Sequence, residues 1–258
     1  MPEKNIRDVV KRAFVRGDLS RESLKVLASG KVSTELVAGL NTGARGGDVL
    51  LVTIVVDDSN SINDAGAMEA LRKGHNALLD LLISRGGDNV TILVSTRFLN
   101  GRIINRFVPV QEARRLNSEN YSAKELGWTP LYYQSVLTLG TVMVQMQQLE
   151  SEGSSVRSIT LLITDGEEYS DHKTKPEEVA WLARDLMNTG KALVAAYAVG
   201  SGTNLVNEFT RMGIQRKWIL NSPDALASLL AFADAAVQAG ISQESFERLL
   251  LGPGFGSA

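Results

Sequence analysis

The stretch that decides the fold is residues 49–61, which read VLLVTIVVDDSNS. A run of apolar and β-branched residues ends abruptly at two aspartates, and two serines separated by an asparagine follow. Because both faces of the run are apolar, it predicts a strand of a parallel sheet that is buried on both sides. The oxygen-rich segment after it then lies at the carboxyl edge of the sheet, where open α/β sheets bind ligands. We therefore expect the functional site at this edge.

The composition fits one large α/β domain. A chain of 258 residues with 44% hydrophobic content can bury a substantial core. The formal net charge is −2 and no dense Lys/Arg cluster occurs, so a nucleic-acid partner is not expected. The longest apolar runs have the length of strands, so neither a membrane span nor a signal peptide is expected. The lack of cysteine excludes disulfides and thiolate metal sites, and it fits the cytoplasmic location that we expect.

Strand-like and helix-like patterns alternate between residues 49 and 239. Asn100-Gly101 predicts a hairpin between the second and third strands. Alternating strands and helices imply right-handed crossovers, so we predict a doubly wound, Rossmann-like three-layer sandwich whose sheet is mostly parallel with one antiparallel edge strand. The predicted strands are 49–56, 90–99, 102–108, 159–164, 192–199 and 218–220, and the predicted helices are 68–82, 131–149, 176–188, 204–212 and 223–238.

The chain divides into three predicted parts. Residues 1–47 form a helical N-terminal extension and linker, residues 48–239 the main domain, and residues 240–258 a C-terminal helix with a flexible tail. Within the first part, Ser20 is the expected N-cap of a short helix, and a further short helix is expected between Ser33 and Gly39.

Three loops of the main domain carry the candidate ligands. Asp57, Ser59 and Ser61 follow the first strand, Thr129 precedes the very apolar helix 131–149, and Asp165 follows the strand 159–164. Two carboxylates and three hydroxyls without imidazole or thiolate describe a hard-oxygen site, which suits Mg²⁺ or Mn²⁺ better than zinc or copper. Each motif by itself is an ordinary turn or helix cap, whereas the three together favour a metal site.

These motifs together resemble the metal-ion-dependent adhesion site of von Willebrand factor A (vWA) domains. The resemblance covers approximately residues 48–239, and the sequences WTPL at 128–131 and LLITDGE at 161–167 are most similar to intracellular bacterial and archaeal members. Those members include proteins associated with tellurite resistance and with MoxR-type AAA+ ATPases.

The resemblance implies a role for each ligand. Ser59, Ser61 and Thr129 would bind the metal directly, and Asp57 and Asp165 would bind it directly or through water. The ion would be Mg²⁺, with Mn²⁺ or Ca²⁺ as alternatives, and an acidic side chain of a partner protein would complete its coordination. The implied function is a non-catalytic adaptor or assembly subunit, and the implied partner is an AAA+ ATPase or a larger complex.

Two other functions stay open at this point. The same metal would suit a Mg²⁺-dependent phosphoryl-transfer or hydrolytic enzyme, although no general base or nucleophile is evident beside the ligands. The chain would otherwise be a structural subunit that oligomerises through its terminal helices. His75 lies on an apolar helical stripe and is expected in the core, and His172 is expected to be a solvated loop residue.

Further acidic residues follow the candidate ligands closely in sequence. We expect them around the metal, where their charge would favour a partner that also brings Arg or Lys to the rim. The alternative is that they are solvated and point away. These residues are Asp58, Glu167, Glu168 and Asp171.

Overall fold

The centre of the fold is a six-stranded sheet. A computed structural model describes residues 3–29, 35–36, 40, 46–64, 66–85, 89–122, 128–200 and 203–255. The strands are β1 Gly47–Val56, β2 Val90–Phe98, β3 Ile103–Pro109, β4 Ser154–Thr164, β5 Ala192–Val199 and β6 Ile219–Ser222. Their order in the sheet is β3-β2-β1-β4-β5-β6; β3 is the antiparallel edge strand, and the other five run parallel. The predicted fold class is therefore confirmed.

Helices cover both faces of this sheet. The helices are α1 Glu3–Arg16, α2 Arg21–Leu27, α3 Asn60–Asp64, α4 Met68–Arg85, α5 Leu131–Ser151, α6 Pro176–Asn188, α7 Thr203–Arg211, α8 Ala225–Ile241 and α9 Gln243–Leu251. Right-handed crossovers are expected to put α4 on the opposite face from α5, α6 and α7. The contacts agree, because α4 packs against α8, α5 packs against α6, and α6 packs against α7. Short 3₁₀ helices lie at Val110–Glu112 and Arg216–Trp218.

The strand register brings two of the predicted site loops to the same height. In β1, Val56 pairs with Ile163 of β4 and with Phe98 of β2, and the Asp57 amide donates to the Ile163 carbonyl at 3.0 Å. β1 and β4 therefore end side by side. A shift of one residue between β1 and β4 would move Asp57 out of line with Thr164, so this register fixes the relative position of the two loops.

Helix α5 is buried around its whole circumference, as its apolar sequence predicts. One side lies on the sheet, and Leu27 and Leu36 of the N-terminal segment cover another side. A Cβ atom at Gly140 would lie 2.5 Å from Leu27 Cδ2 and 3.0 Å from Leu36 Cδ2, so glycine allows this close approach. The N-terminal helices thus form an additional layer over α5.

The predicted N-cap at Ser20 also anchors the N-terminal segment to the sheet domain. Its hydroxyl accepts from the Ser23 amide, which caps α2. Its own amide and hydroxyl both donate at 2.7 Å to Asp185, which is buried on α6. Of the helix expected between Ser33 and Gly39, the structure describes residues 35–36, which are helical. The rest of that segment and most of the linker lie outside the described residues, and the three-part division of the chain stays a prediction.

The C-terminal segment packs against the far edge of the sheet. Lys217 Nζ donates to the Leu250 and Gly252 carbonyls, and the Phe255 amide donates to the Lys217 carbonyl at 2.7 Å. The Phe255 ring meets Trp218 edge-on, with 5.3 Å between centroids. Residues 252–255 are therefore packed, which differs from the flexible tail expected there, and residues 256–258 lie outside the described chain.

No helix in the described part of the chain has the length and apolar character needed to cross a membrane.

His75 lies in the core, as predicted from its place on the apolar stripe of α4. It is 1% exposed, and its Nε2 lies 3.0 Å from Thr96 Oγ1. Burial, aided by the charge of Arg115, lowers the pKa of His75 from 6.5 to about 4. The folded protein therefore holds a neutral imidazole at physiological pH.

This histidine makes stability depend on pH in a defined window. Because the pKa is lower in the folded than in the unfolded chain, the unfolded chain takes up a proton between pH 6.5 and 4 that the folded protein excludes. The contribution of the neutral imidazole to the free energy of unfolding is complete above pH 6.5. It falls by about 3 kcal/mol as the pH drops to 4. Urea unfolding of His75→Gln should lack this part of the pH dependence, and His172→Gln should keep it. Equal pH profiles for wild type and His75→Gln would contradict the assignment.

Candidate metal centre

Asp57 is the fixed point of the candidate site. Its side chain is fully buried, with Oδ1 accepting from the Ser59 amide at 2.8 Å and Oδ2 from Thr164 Oγ1 at 2.5 Å. Its carbonyl accepts from the hydroxyl of Tyr121 at 2.7 Å. Burying a carboxylate is unfavourable unless donors surround it. Here the donors come from the loop after β1 and from the end of β4, so the same contacts hold both loops.

Two serine hydroxyls lie between the buried Asp57 and the solvent. Ser59 Oγ lies 2.9 Å from Ser61 Oγ, and Ser61 Oγ donates to Asp165 Oδ1 at 2.8 Å. Ser61 is exposed on the short helix α3, and Ser59 and Asp165 are half-buried. The three side chains therefore form a chain of oxygens that is open to solvent.

Thr129 comes to this edge through a separate contact. Its amide donates to the Tyr169 carbonyl at 2.7 Å, and the Tyr169 amide donates back to the Thr129 carbonyl at 3.0 Å, which makes an isolated antiparallel bridge. A Cβ atom at Gly166 would lie 4.0 Å from Thr129 Oγ1, so this hydroxyl faces the loop of Asp165. The structure thus joins Asp57, Ser59, Ser61 and Asp165 by hydrogen bonds and places Thr129 beside the Asp165 loop. Their role as metal ligands stays a prediction.

The oxygen spacings fit neighbouring positions around a small cation. Ligand oxygens at adjacent positions of an octahedral Mg²⁺ lie about 2.9 Å apart, which is the metal–oxygen distance of roughly 2.0–2.1 Å multiplied by the square root of two. The two contacts of Ser61, at 2.9 and 2.8 Å, match this value. Within the described residues, no group of three or more Asp, Glu or His side chains is arranged to hold a metal. A metal at this edge would therefore depend on hydroxyl ligands.

The four additional acidic residues do not all surround the site. Asp58 is buried, and both of its oxygens accept from Asn100. Oδ1 accepts from the backbone amide and Oδ2 from the side-chain amide. Burial raises the pKa of Asp58 to about 6, while Asn100 and Arg102 oppose the shift. The expectation that Asp58 contributes to the rim is wrong, because it holds the β2–β3 hairpin turn instead.

Glu168 also has a structural role. It accepts from the Tyr132 amide at 2.6 Å in the first turn of α5, and Ser170 donates to its other oxygen. Burial raises the pKa of Glu168. Glu167 and Asp171 are exposed, so two of the four acidic residues are available to a partner.

Neither histidine is arranged as a catalytic base beside the candidate ligands. His75 bonds Thr96 in the core, and the His172 ring stacks on Tyr133 with 4.0 Å between centroids and 6° between planes. The expectation of a merely solvated His172 is therefore too simple, since its ring is covered on one face.

Several residues that shape the site were missed in the sequence. Thr164 directly precedes Asp165, and its position at the end of a buried strand is a usable signal for a contact with Asp57. Tyr121 and Tyr169 reach the site through tertiary contacts that no local pattern reveals.

The hydroxyl of Thr164 is predicted to stabilise the site before any metal binds. Thr164→Val keeps the shape of the side chain but leaves Asp57 Oδ2 and the Gly166 amide without this partner. We expect the free energy of unfolding to fall by about 1–3 kcal/mol in urea titrations.

Thr53→Val on β1 is the matched control. The Thr53 hydroxyl is buried and finds no hydrogen-bond partner in the described part of the chain. Its replacement should be neutral or stabilising. Equal losses in the two variants would show that the contact between Thr164 and Asp57 has no special importance.

Comparisons with known proteins give only distant likenesses. The sequence matches no protein-family model and no curated protein. Among solved structures with a similar chain trace, proximal thread matrix protein 1 from the mussel byssus has a TM-score of 0.48 and 16% identity, and the match covers 76% of this chain and 49% of that chain. The vWF domain of the type V pili tip protein Mfa5 from Porphyromonas gingivalis has a TM-score of 0.47 and 9% identity, with 75% of this chain and 95% of that chain covered. The ArnB paralog VWA2 from Sulfolobus acidocaldarius has a TM-score of 0.43 and 14% identity, with 74% of this chain and 46% of that chain covered. The chain spans about half the length of the mussel protein and of the Sulfolobus protein.

Proposed function

We propose that the chain is a non-catalytic protein-binding module of the vWA type that docks a partner through a divalent cation at the carboxyl edge of the sheet. The observation that carries the proposal is the chain of oxygens from Ser59 through Ser61 to Asp165, whose 2.9 and 2.8 Å spacings suit adjacent ligands of Mg²⁺. Mn²⁺ and Ca²⁺ are the alternative cations. The motif resemblance to vWA proteins supports the same assignment.

The hydrogen bonds suggest which ligands are direct. Both oxygens of Asp57 already accept from protein donors, so Asp57 would bind through water and orient the loop. Ser59, Ser61 and Thr129 would offer neutral hydroxyls, and Asp165 would be the direct carboxylate. Since this set brings one formal negative charge to a cation of charge +2, the ion keeps positive charge for an acidic side chain of the partner.

The surrounding groups support binding rather than turnover. Asp58 holds Asn100, Glu168 caps α5, and His75 lies in the core. These three side chains, which would otherwise be candidate general bases, thus have structural contacts. We propose an AAA+ ATPase or a larger cytoplasmic complex as the partner, because the WTPL and LLITDGE segments resemble those of intracellular vWA proteins.

Metal binding should be visible in thermal unfolding. After treatment with chelator, a cation in hundredfold excess over its Kd should stabilise the folded chain by about 2.7 kcal/mol. This corresponds to a rise in Tm of roughly 5–10 °C for a protein of this size. Differential scanning calorimetry with Mg²⁺ and Mn²⁺, reversed by EDTA, measures the effect.

The variant Asp165→Asn separates metal binding from folding. The amide still accepts from Ser61 and removes one charge from the cluster, so the metal-free protein should be at least as stable as wild type. Its Tm should not respond to Mg²⁺, whereas Asp171→Asn in the same loop should respond like wild type. A wild-type Tm that is unaffected by millimolar Mg²⁺ and Mn²⁺, or an Asp165→Asn variant with the full response, would contradict the proposed site.

A further inference from the structure

Two aromatic side chains stand exposed next to the candidate metal centre. Trp128 is 46% exposed and Tyr169 is 69% exposed, and their ring centroids lie 6.3 Å apart with 44° between the planes. Trp128 directly precedes Thr129, and Tyr169 pairs with Thr129 in the isolated bridge. The two rings, called the aromatic pair below, therefore lie at the rim of the site and touch each other there.

The bridge holds the aromatic pair in place before a partner binds. Its two hydrogen bonds, of 2.7 and 3.0 Å, join backbone atoms of Thr129 and Tyr169. Aromatic side chains have few rotatable bonds, so a pair fixed in this way loses little conformational entropy on binding. Substituting the ring of Trp128 or Tyr169 leaves the backbone hydrogen bonds intact, which makes the pair suitable for mutational tests.

An exposed pair of this kind needs an explanation. The other large apolar side chains that are exposed in the described chain are Phe14, Val15, Ile83, Leu226 and Leu251. None of these belongs to the site loops, and single exposed apolar residues are normal on a protein surface. Trp and Tyr are enriched among residues that dominate binding energy, and here both lie beside a site that is proposed to bind a partner.

The charges near the aromatic pair indicate what it would bind. Glu167 and Asp171 are exposed, and each is two residues from Tyr169 in sequence. The faces of aromatic rings attract cations, and the neighbouring carboxylates add to the attraction. A guanidinium group fits best, because its planar fork stacks on a ring while it donates to a carboxylate.

We propose that the aromatic pair is the second anchor of the docking surface and receives an arginine side chain from the same partner segment that brings a carboxylate to the metal. The inference rests on the proposed function and adds the chemistry of the partner. The recognised element is a short, exposed segment in which an acidic residue and an arginine lie within a few residues of each other. The metal would select the acid, and Trp128, Tyr169 and Glu167 would select the arginine.

Synthetic octapeptides test this directly. Each peptide consists of Gly and Ser apart from one Glu and one test position, which carries either Arg or Ser. The test position lies one to four residues before or after the Glu. A control set has Gln in place of the Glu. Fluorescence anisotropy with the full chain in Mg²⁺ gives the Kd values. At the best spacing, the Glu/Arg peptide should bind about tenfold more tightly than the Glu/Ser peptide. Trp128→Ala and Tyr169→Ala should each reduce that advantage, measured as the ratio of the Kd values of the two peptides for the same variant.

Matched variants complete the design. Phe14→Ala removes an exposed ring on α1 and should change no Kd, and Tyr169→Phe should keep the preference for arginine. Mg²⁺-dependent binding without a preference for arginine at any spacing would overturn the inference and leave the proposed function standing. A preference that survives loss of both rings would overturn the inference as well. Failure of every carboxylate peptide to bind in a Mg²⁺-dependent way would contradict the proposed function, and the inference with it.

Discussion

The hydrogen bond between Asp57 and Thr164 joins the two central strands at the edge where the site is built. The contact exists because β1 and β4 end at the same height, with Val56 paired to Ile163. From this point, Asp57 fixes the loop that carries Ser59 and Ser61, and Thr164 fixes the turn that carries Asp165 and Gly166. A carboxylate with this degree of burial requires such donors, so the fold and the geometry of the site depend on the same contacts.

The rest of the chain keeps that edge rigid. The sheet is covered on both faces, and α5 is covered again by Leu27 and Leu36. Because α5 is surrounded in this way, its first turn, held by Glu168 at the Tyr132 amide, is a stable support for Thr129. Packing remote from the site therefore determines where the fifth candidate ligand lies.

The main elements were predictable because their sequences have strong local signals. The buried run of β1, the Asn100-Gly101 hairpin, the exact bounds of α6 and β5, and the burial of α5 all follow from apolar periodicity and turn chemistry. The order of the loops along parallel strands then predicted that Asp57, Ser59, Ser61 and Asp165 meet.

Other features had no local signal. In the sequence, Asp58 and Glu168 are expected around the metal or else in solvent. They are buried or half-buried because Asn100 and the start of α5 supply donors from elsewhere in the chain. The packed tail depends on Lys217 and Trp218, which lie more than thirty residues earlier. The bridge between Thr129 and Tyr169, which creates the aromatic pair, is likewise a tertiary contact.

We propose that oxygens from three loops share one cation. Diffraction from a crystal soaked in Mn²⁺, measured for anomalous scattering, locates that cation directly. We predict one strong anomalous peak within about 2.2 Å of the Ser59, Ser61 and Thr129 hydroxyl oxygens, with Asp165 bound directly and Asp57 bound through water. A peak that lies away from these side chains, or no peak while the serine hydroxyls keep their present hydrogen bonds, would contradict it.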